Sequence, residues 1–248
     1  MDLIIPEWPM APANVGAMST TRRGGASLAP YDDGTGVGGL NLGTHVGDDP
    51  DHVRVNRALL RTLLPSEPAW LSQVHGTTVL DAEDAGGAPE ADASIATRPG
   101  VVCAIQTADC LPVLFCDLQG RAVGAAHAGW RGLAKGVLEN TVARMRDAGA
   151  TEIIAWLGPA IGPQCFEVGQ DVHDAFVARN QGMDVAFRPH TAGKYLADIY
   201  ALARIALREV GVVEVFGGGL CTVSDNARFY SFRRDRVTGR MASLIWLK

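Results

Sequence analysis

The sequence predicts a single α/β or α+β domain, on three observations. Short apolar runs that suit strands occur both in succession and alternating with segments of helical spacing, which favours a mixed sheet over a purely parallel one. No linker, low-complexity segment or internal repeat divides the 248 residues, so one domain is expected to span residues 1–248. Hydrophobic residues make up 47% and charged ones 20%, the composition of a globular chain long enough to bury a full core.

Taken in order, residues 15–20 suit a strand and lead into a glycine-rich loop over 22–43. Asp49-Pro50-Asp51 opens a helix, and Val53, Leu59, Leu60, Leu63 and Leu64 fall at the spacing of one face. Residues 69–74 and 77–80 are expected as strands either side of His75-Gly76, and the Gly-, Ala- and acid-rich stretch 81–91 as a surface loop. A strand follows at 101–108. Residues 111–116 and 121–126 then form a hairpin across Asp117-Leu118-Gln119-Gly120. Residues 133–148 make a helix closed by Gly149 as its C-terminal cap. A strand at 153–157 precedes the rigid turn Gly158-Pro159-Ala160-Ile161-Gly162-Pro163, and helices are expected at 170–179 and 195–210. Strands at 212–216, 228–232 and 241–247 complete the chain.

The formal charge of −5 argues against a nucleic-acid binder that neutralises many phosphates. No apolar run approaches the roughly 18 residues of a membrane span. Met1-Asp2-Leu3-Ile4-Ile5-Pro6-Glu7 has no basic segment ahead of a long apolar one, so no secretory signal is expected there. Five scattered cysteines, an odd number, suit reduced thiols in a cytoplasm.

The chemistry concentrates in three places. His127-Ala128-Gly129-Trp130-Arg131-Gly132 places an imidazole at the end of the apolar, small-residue run 122–126, beside a glycine turn. Residues 70–74 deliver His75-Gly76, and residues 101–108 deliver Asp109-Cys110. A lone histidine there is usually a hydrogen-bonded structural residue, and a lone buried cysteine a small hydrophobe. Together, His75, Cys110 and His127 match a catalytic zinc site with three protein ligands and one open position. Asp109 could orient a ligand or carry a proton. The run Ser19-Thr20-Thr21-Arg22-Arg23-Gly24-Gly25 could hold phosphate, or simply be an exposed basic loop. Phe229-Tyr230-Ser231-Phe232-Arg233-Arg234-Asp235 could stack a base and neutralise a phosphate, or pack as a core strand. The glycines of residues 34–39 have no GxGxxG register, so a dinucleotide fold is not expected.

At these residues the sequence closely resembles the bacterial YfiH family, whose members carry laccase-domain, polyphenol-oxidase or purine nucleoside phosphorylase labels. The matching motifs are residues 19–25, Asn41-Leu42-Gly43, Gln73-Val74-His75-Gly76, Thr107-Ala108-Asp109-Cys110-Leu111-Pro112 and His127–Gly132. The later ones are Gly158–Pro163, Phe166-Glu167-Val168-Gly169, residues 229–235 and Thr238-Gly239-Arg240. The resemblance implies one α/β domain with two mixed β-sheets packed between helices. It implies zinc (Zn2+) held by His75, Cys110 and His127; a His₂Cys donor set also accepts copper as an adventitious metal. It also implies cleavage of adenosine, inosine, guanosine or methylthioadenosine by phosphate, with hydrolytic deamination of adenosine alongside. Arg22, Asn41, Gln73 and Arg233 are then the expected substrate contacts, Arg22 or Arg233 holding phosphate. Cys110, His127 and Asp109 are the catalytic residues, Asp109 handling the proton for the departing purine.

A multicopper oxidase draws most of its ligands from His-x-His pairs. With six histidines and no such pair, laccase activity is not expected to be native. A different class of chemistry also fits: a metal-free hydrolase or amidase with Cys110 as nucleophile and His127 as its base, for which the resemblance implies a peptidoglycan precursor as substrate. A non-catalytic binding module is a third reading. The partners expected are a small nucleoside and phosphate, with neither nucleic acid nor membrane.

Overall fold

Side-chain alternation along the central strands explains the layering. In the strand Val102–Thr107, Val102 and Ala104 join one apolar cluster while Cys103 and Ile105 join another. In the strand Leu111–Asp117, Leu114 and Cys116 share the cluster of Cys103 and Ile105, while Leu111, Val113 and Phe115 face away from it. Strands buried on both faces by alternate residues require a layer on each side. The computed structural model, which describes residues 1–248, supplies those layers.

The first sheet has five strands in the order Leu3–Ile4, Val15–Thr20, Met241–Leu247, Val102–Thr107, Pro68–Ala69. The second has six, in the order Val215–Gly217, Ile153–Leu157, Leu111–Asp117, Val123–Ala128, Ala93–Ala96, Val79–Asp81. Both are mixed: each combines antiparallel pairs with parallel edge pairings. They pack face to face over Ile105, Leu114, Val123, Ala125, Trp156 and Ile245. The helix Pro50–Arg61 covers the outer face of the first sheet. The helices Trp130–Lys135 and Val137–Asp147 lie on that of the second, and Gln170–Val177 and Ile199–Glu209 join the same apolar cluster outside them. A third, three-stranded sheet, Glu167–Gly169, Lys194–Ala197 and Phe187–Pro189, lies outside the pair. The fold is therefore single-domain α+β with mixed sheets, as the residues predict, and it has the two large sheets between helices that the resemblance implies.

Several elements differ from expectation, each for a local reason. The strands expected either side of His75 are shorter than their apolar runs: Pro68–Ala69 and Val79–Asp81 pair regularly, and between them Ser72 makes an isolated bridge to Glu90. Residues 195–210 divide at Asp198, whose carboxylate caps the helix by accepting from the N–H groups of Tyr200 and Ala201 at 3.0 Å. Ahead of it, Lys194–Ala197 is a strand. Residues 133–148 start earlier, at Trp130, and break at Gly136, whose φ of 96° lies outside helical space. Residues 228–232 hold no strand; Ser231 caps a one-turn helix, Phe232–Asp235, by accepting from the N–H of Arg234. The glycine-rich loop contains the strand Arg23–Ser27. The 81–91 stretch contains the short 3-10 helix Ala82–Asp84. In Pro50–Arg61 the inner face carries Asn56 with Val53 and Leu60, while Leu59, and Leu63 beyond the helix end, face solvent. Buried Asn56 donates to Ser27 Oγ, Gly39 O and Asn41 O and accepts from the N–H of Ala26, anchoring the loop.

Candidate metal centre and cleft

Asp92 organises the site. It precedes the strand Ala93–Ala96, whose partner Val123–Ala128 carries His127, and its carbonyl accepts from the His127 N–H at 2.7 Å. Its fully buried carboxylate accepts four bonds: from the N–H groups of Val74 (3.2 Å), His75 (2.9 Å) and Gly76 (2.6 Å), and from His127 Nδ1 (2.8 Å). Burial disfavours that charge, but the His127 ring and the Gly76 and Val74 amides outweigh burial and hold the carboxyl below its ordinary value. Asp92 thus stands in for a strand partner at residues 74–76, and holds His75 at a φ of 60°, where non-glycine residues rarely sit. A carboxylate can only accept, so His127 Nδ1 carries the proton and Nε2 is left free to ligate.

Asp109 does the equivalent for Cys110. Its φ is 90°. Its carboxylate accepts from Thr222 Oγ1 and from the N–H of Arg233, both at 2.6 Å, and its carbonyl from the N–H of Ile161 at 2.9 Å. Strained backbone of this kind costs about 1–3 kcal/mol per residue and persists only where the surroundings over-determine it.

The result is a cluster. One ligand atom each from His75, Cys110 and His127 lies within 4.8 Å of the others, and Cys110 Sγ is 3.7 Å from His75 Nε2. A tetrahedral zinc with Zn–S about 2.3 Å and Zn–N about 2.05 Å sets a sulfur-to-nitrogen edge of about 3.5 Å, so the donors fit. Gly129 leaves the room: a Cβ there would sit 2.6 Å from His75 Cδ2 and 3.0 Å from Cys110 Sγ. Burial opposes ionisation of the Cys110 thiol, yet His127 and His75 pull it down to about 6. Burial likewise disfavours a charged His127 ring, but the Cys110 thiolate and Asp92 raise it to about 9. The group can hold a metal.

The cluster opens into a cleft of about 750 Å³. Its lining includes Gln73, Phe232, His45 and three arginines, Arg57, Arg131 and Arg240. Arg131 lies over the Trp130 ring and Arg57 over Trp70. Burial and the charges of Arg240 and Arg57 lower the pKa of His45, favouring the neutral ring. Phe232 is 48% exposed at the rim, although it is a large apolar side chain.

The other residues singled out in the sequence fall in different places. Gln73 lines the cleft, with its amide bonded to the Gln106 backbone in both directions at 2.8 Å. Arg22 does not join it: its buried guanidinium donates to the carbonyls of Asp32 and Asn226 and lies over Tyr230. Asn41 is fully buried, linking Gly43, Asp48 and the N–H of Arg240. Arg233 donates its guanidinium to Glu167 O, and its backbone N–H holds Asp109. The carboxylate of Asp109 faces Thr222 and Arg233 rather than the cleft. Sequence reasoning misses Asp92 and Arg57, whereas His45 is set apart from the other surface histidines only by following the turn Asn41-Leu42-Gly43-Thr44. An acid opening the small apolar run Ala93-Ser94-Ile95-Ala96 is the signal that points to Asp92. Arg131 and Arg240 lie inside quoted motifs, without an assigned role.

Residues 16–248 match the family model described as multi-copper polyphenol oxidoreductase laccase. The chain is 55% identical over 248 residues to purine nucleoside phosphorylase YfiH of Escherichia coli, covering 99% of this chain and 98% of that one. It is 56% identical over 246 residues to a Pseudomonas aeruginosa purine nucleoside phosphorylase, with the same coverage. The chain belongs to the YfiH family. Among solved structures, a Neisseria meningitidis protein superposes with a TM-score of 0.93 at 51% identity over the whole of both chains. Bacillus licheniformis YfiH superposes with a TM-score of 0.84 at 34% identity, covering 94% of this chain and 93% of that one. These YfiH relatives match across nearly the whole chain, so the cluster and cleft lie within the shared fold. No helix is long and apolar enough to cross a membrane.

Proposed function

We propose that this chain is a zinc-dependent purine nucleoside phosphorylase, with residues 1–248 forming one catalytic domain. Its substrates in this reading are adenosine, inosine, guanosine and methylthioadenosine, and it deaminates adenosine as a side reaction. The observation that carries the reading is the convergence of His75, Cys110 and His127 at the wall of a cleft that also presents three arginines. Relatives at 55% and 56% identity named purine nucleoside phosphorylases support it. Zinc bound to the three side chains would supply Lewis acidity and one open coordination position.

The protein's own residues do the rest. Arg131, whose guanidinium makes no hydrogen bond to the protein, and Arg57 and Arg240 gather and orient phosphate for attack at the ribose C1′. Fixed positive charge there offsets repulsion between the anion and the Cys110 thiolate. Phe232 offers a stacking face for the purine at the rim. Asp109 and Asp92 act as positioning residues for Cys110 and for the two histidines.

The test is to incubate the purified protein with adenosine, with and without phosphate, and to separate the products. Adenine released only with phosphate, and lost in Cys110→Ala, is the expected result. Adenine release that does not depend on phosphate contradicts it. His75→Ala separates this reading from the Cys110–His127 hydrolase, because only the metal site needs His75: the phosphorylase loses activity, whereas a two-residue hydrolase retains part of it.

A further inference from the structure

Cys165 and Cys221 lie outside the metal centre, are both partly exposed, and meet across one hydroxyl. Ser224 Oγ is 3.3 Å from Cys221 Sγ, to which it donates, and 3.4 Å from Cys165 Sγ. With its proton directed at Cys221, Ser224 is left to accept from the Cys165 thiol, giving a relay from Cys165 through Ser224 to Cys221. A second donor, the N–H of Gly162, reaches Cys221 Sγ at 3.2 Å. That approach needs glycine: a Cβ on Gly162 would lie 2.9 Å from Cys221 Cβ and 3.0 Å from its sulfur. Burial works against ionisation of Cys221, but Ser224 and the N–H groups of Gly162 and Val223 outweigh it and lower the thiol's pKa. Cys103 and Cys116, by contrast, are wholly buried and pushed up to about 12.

We propose that Cys221 and Cys165 form a peroxide-reactive pair, with Cys221 as the attacking thiolate and Cys165 as the resolving thiol. Cys221 sulfur forms a bond to one oxygen of hydrogen peroxide as the O–O bond breaks. The departing oxygen takes a proton and leaves as water, and Cys221 becomes a sulfenic acid. Cys165 sulfur then forms the S–S bond as the S–O bond breaks, and the hydroxyl leaves with the Cys165 proton as a second water. Each sulfur gives up one electron, and the peroxide takes both. Ser224 swings out from between the sulfurs to admit the bond. The two cysteines sit in separate turns, one following Ile161 and the other containing Thr222, and both of these residues hold Asp109. The disulfide therefore ties together the two supports of the Cys110 loop.

Peptide mapping after hydrogen peroxide treatment, with unreacted thiols alkylated, tests this. Wild type is expected to yield a Cys165–Cys221 cross-linked peptide, reversed by dithiothreitol, with Cys103 and Cys116 fully alkylated once the quenched protein is denatured. Cys165→Ser should stop at a dimedone-trapped sulfenic acid on Cys221, and Cys221→Ser should leave Cys165 alkylatable. The proposal is overturned if both thiols stay alkylatable at peroxide doses that oxidise Cys110, or if Cys165→Ser gives no dimedone adduct. The readout is covalent and needs no nucleoside, so its failure is separate from failure of the phosphorylase reading.

Discussion

Asp92 carries more of the site than any ligand, because one carboxylate orients one histidine ring and fixes the backbone of the other. Its replacement by alanine orphans three amides and His127 Nδ1, and is expected to weaken zinc binding by about 10–100-fold in a chelator competition. Wild-type affinity in that competition means the carboxylate does not orient the ligands. The protonation states of Cys110 and His127 set a pH dependence. In the metal-free protein, the thiol is ionised above about 6 and the His127 ring is protonated below about 9. Between those values zinc must displace one proton, from His127, so affinity should rise about tenfold per pH unit and level off above about 9. A flat profile across that window would contradict the thiolate–imidazolium pair. The ligands were legible in the sequence because each sits beside a turn. The roles of Arg22 and Asn41 were not, because their partners Asn226 and Arg240 lie 204 and 199 residues away.

At the scale of elements, turn chemistry decided where periodicity misled. Residues 195–210 have continuous helical spacing, yet the Asp198 cap starts the helix late. Asp198→Ala is expected to destabilise the protein by about 0.5–2 kcal/mol in urea unfolding, and no change would mean the cap is idle. Residues 74–76 lie between two strands, Pro68–Ala69 and Val79–Asp81, but there the Asp92 carboxylate takes the amides that a neighbouring strand would have bonded. Gly129 sits where the strand Val123–Ala128 gives way to the helix Trp130–Lys135, against His75 and Cys110. Gly129→Ala is expected to lose zinc while keeping the wild-type circular dichroism spectrum. Retention of full zinc stoichiometry would place the ligands further from this turn than the structure does.

Across the whole molecule, the doubly buried strands were legible as short apolar runs, and so was the mixture of strand and helix. The pairing of two separate sheets was not derivable from those runs, because alternation shows that a strand has two covered faces but not what covers each. The inter-sheet layer is expected to behave as core: Leu114→Ala should cost about 2–5 kcal/mol of stability, read from the urea midpoint. The two sheets and their loops act together to bring three ligands from distant parts of the chain to one cleft. The most direct test of that arrangement is a zinc titration of chelated protein, following phosphate-dependent release of adenine from adenosine. The account predicts activity that rises linearly, saturates at one zinc per chain, and is absent in Cys110→Ala at every zinc concentration. Full activity before zinc is added, or equal activity in Cys110→Ala, would contradict it.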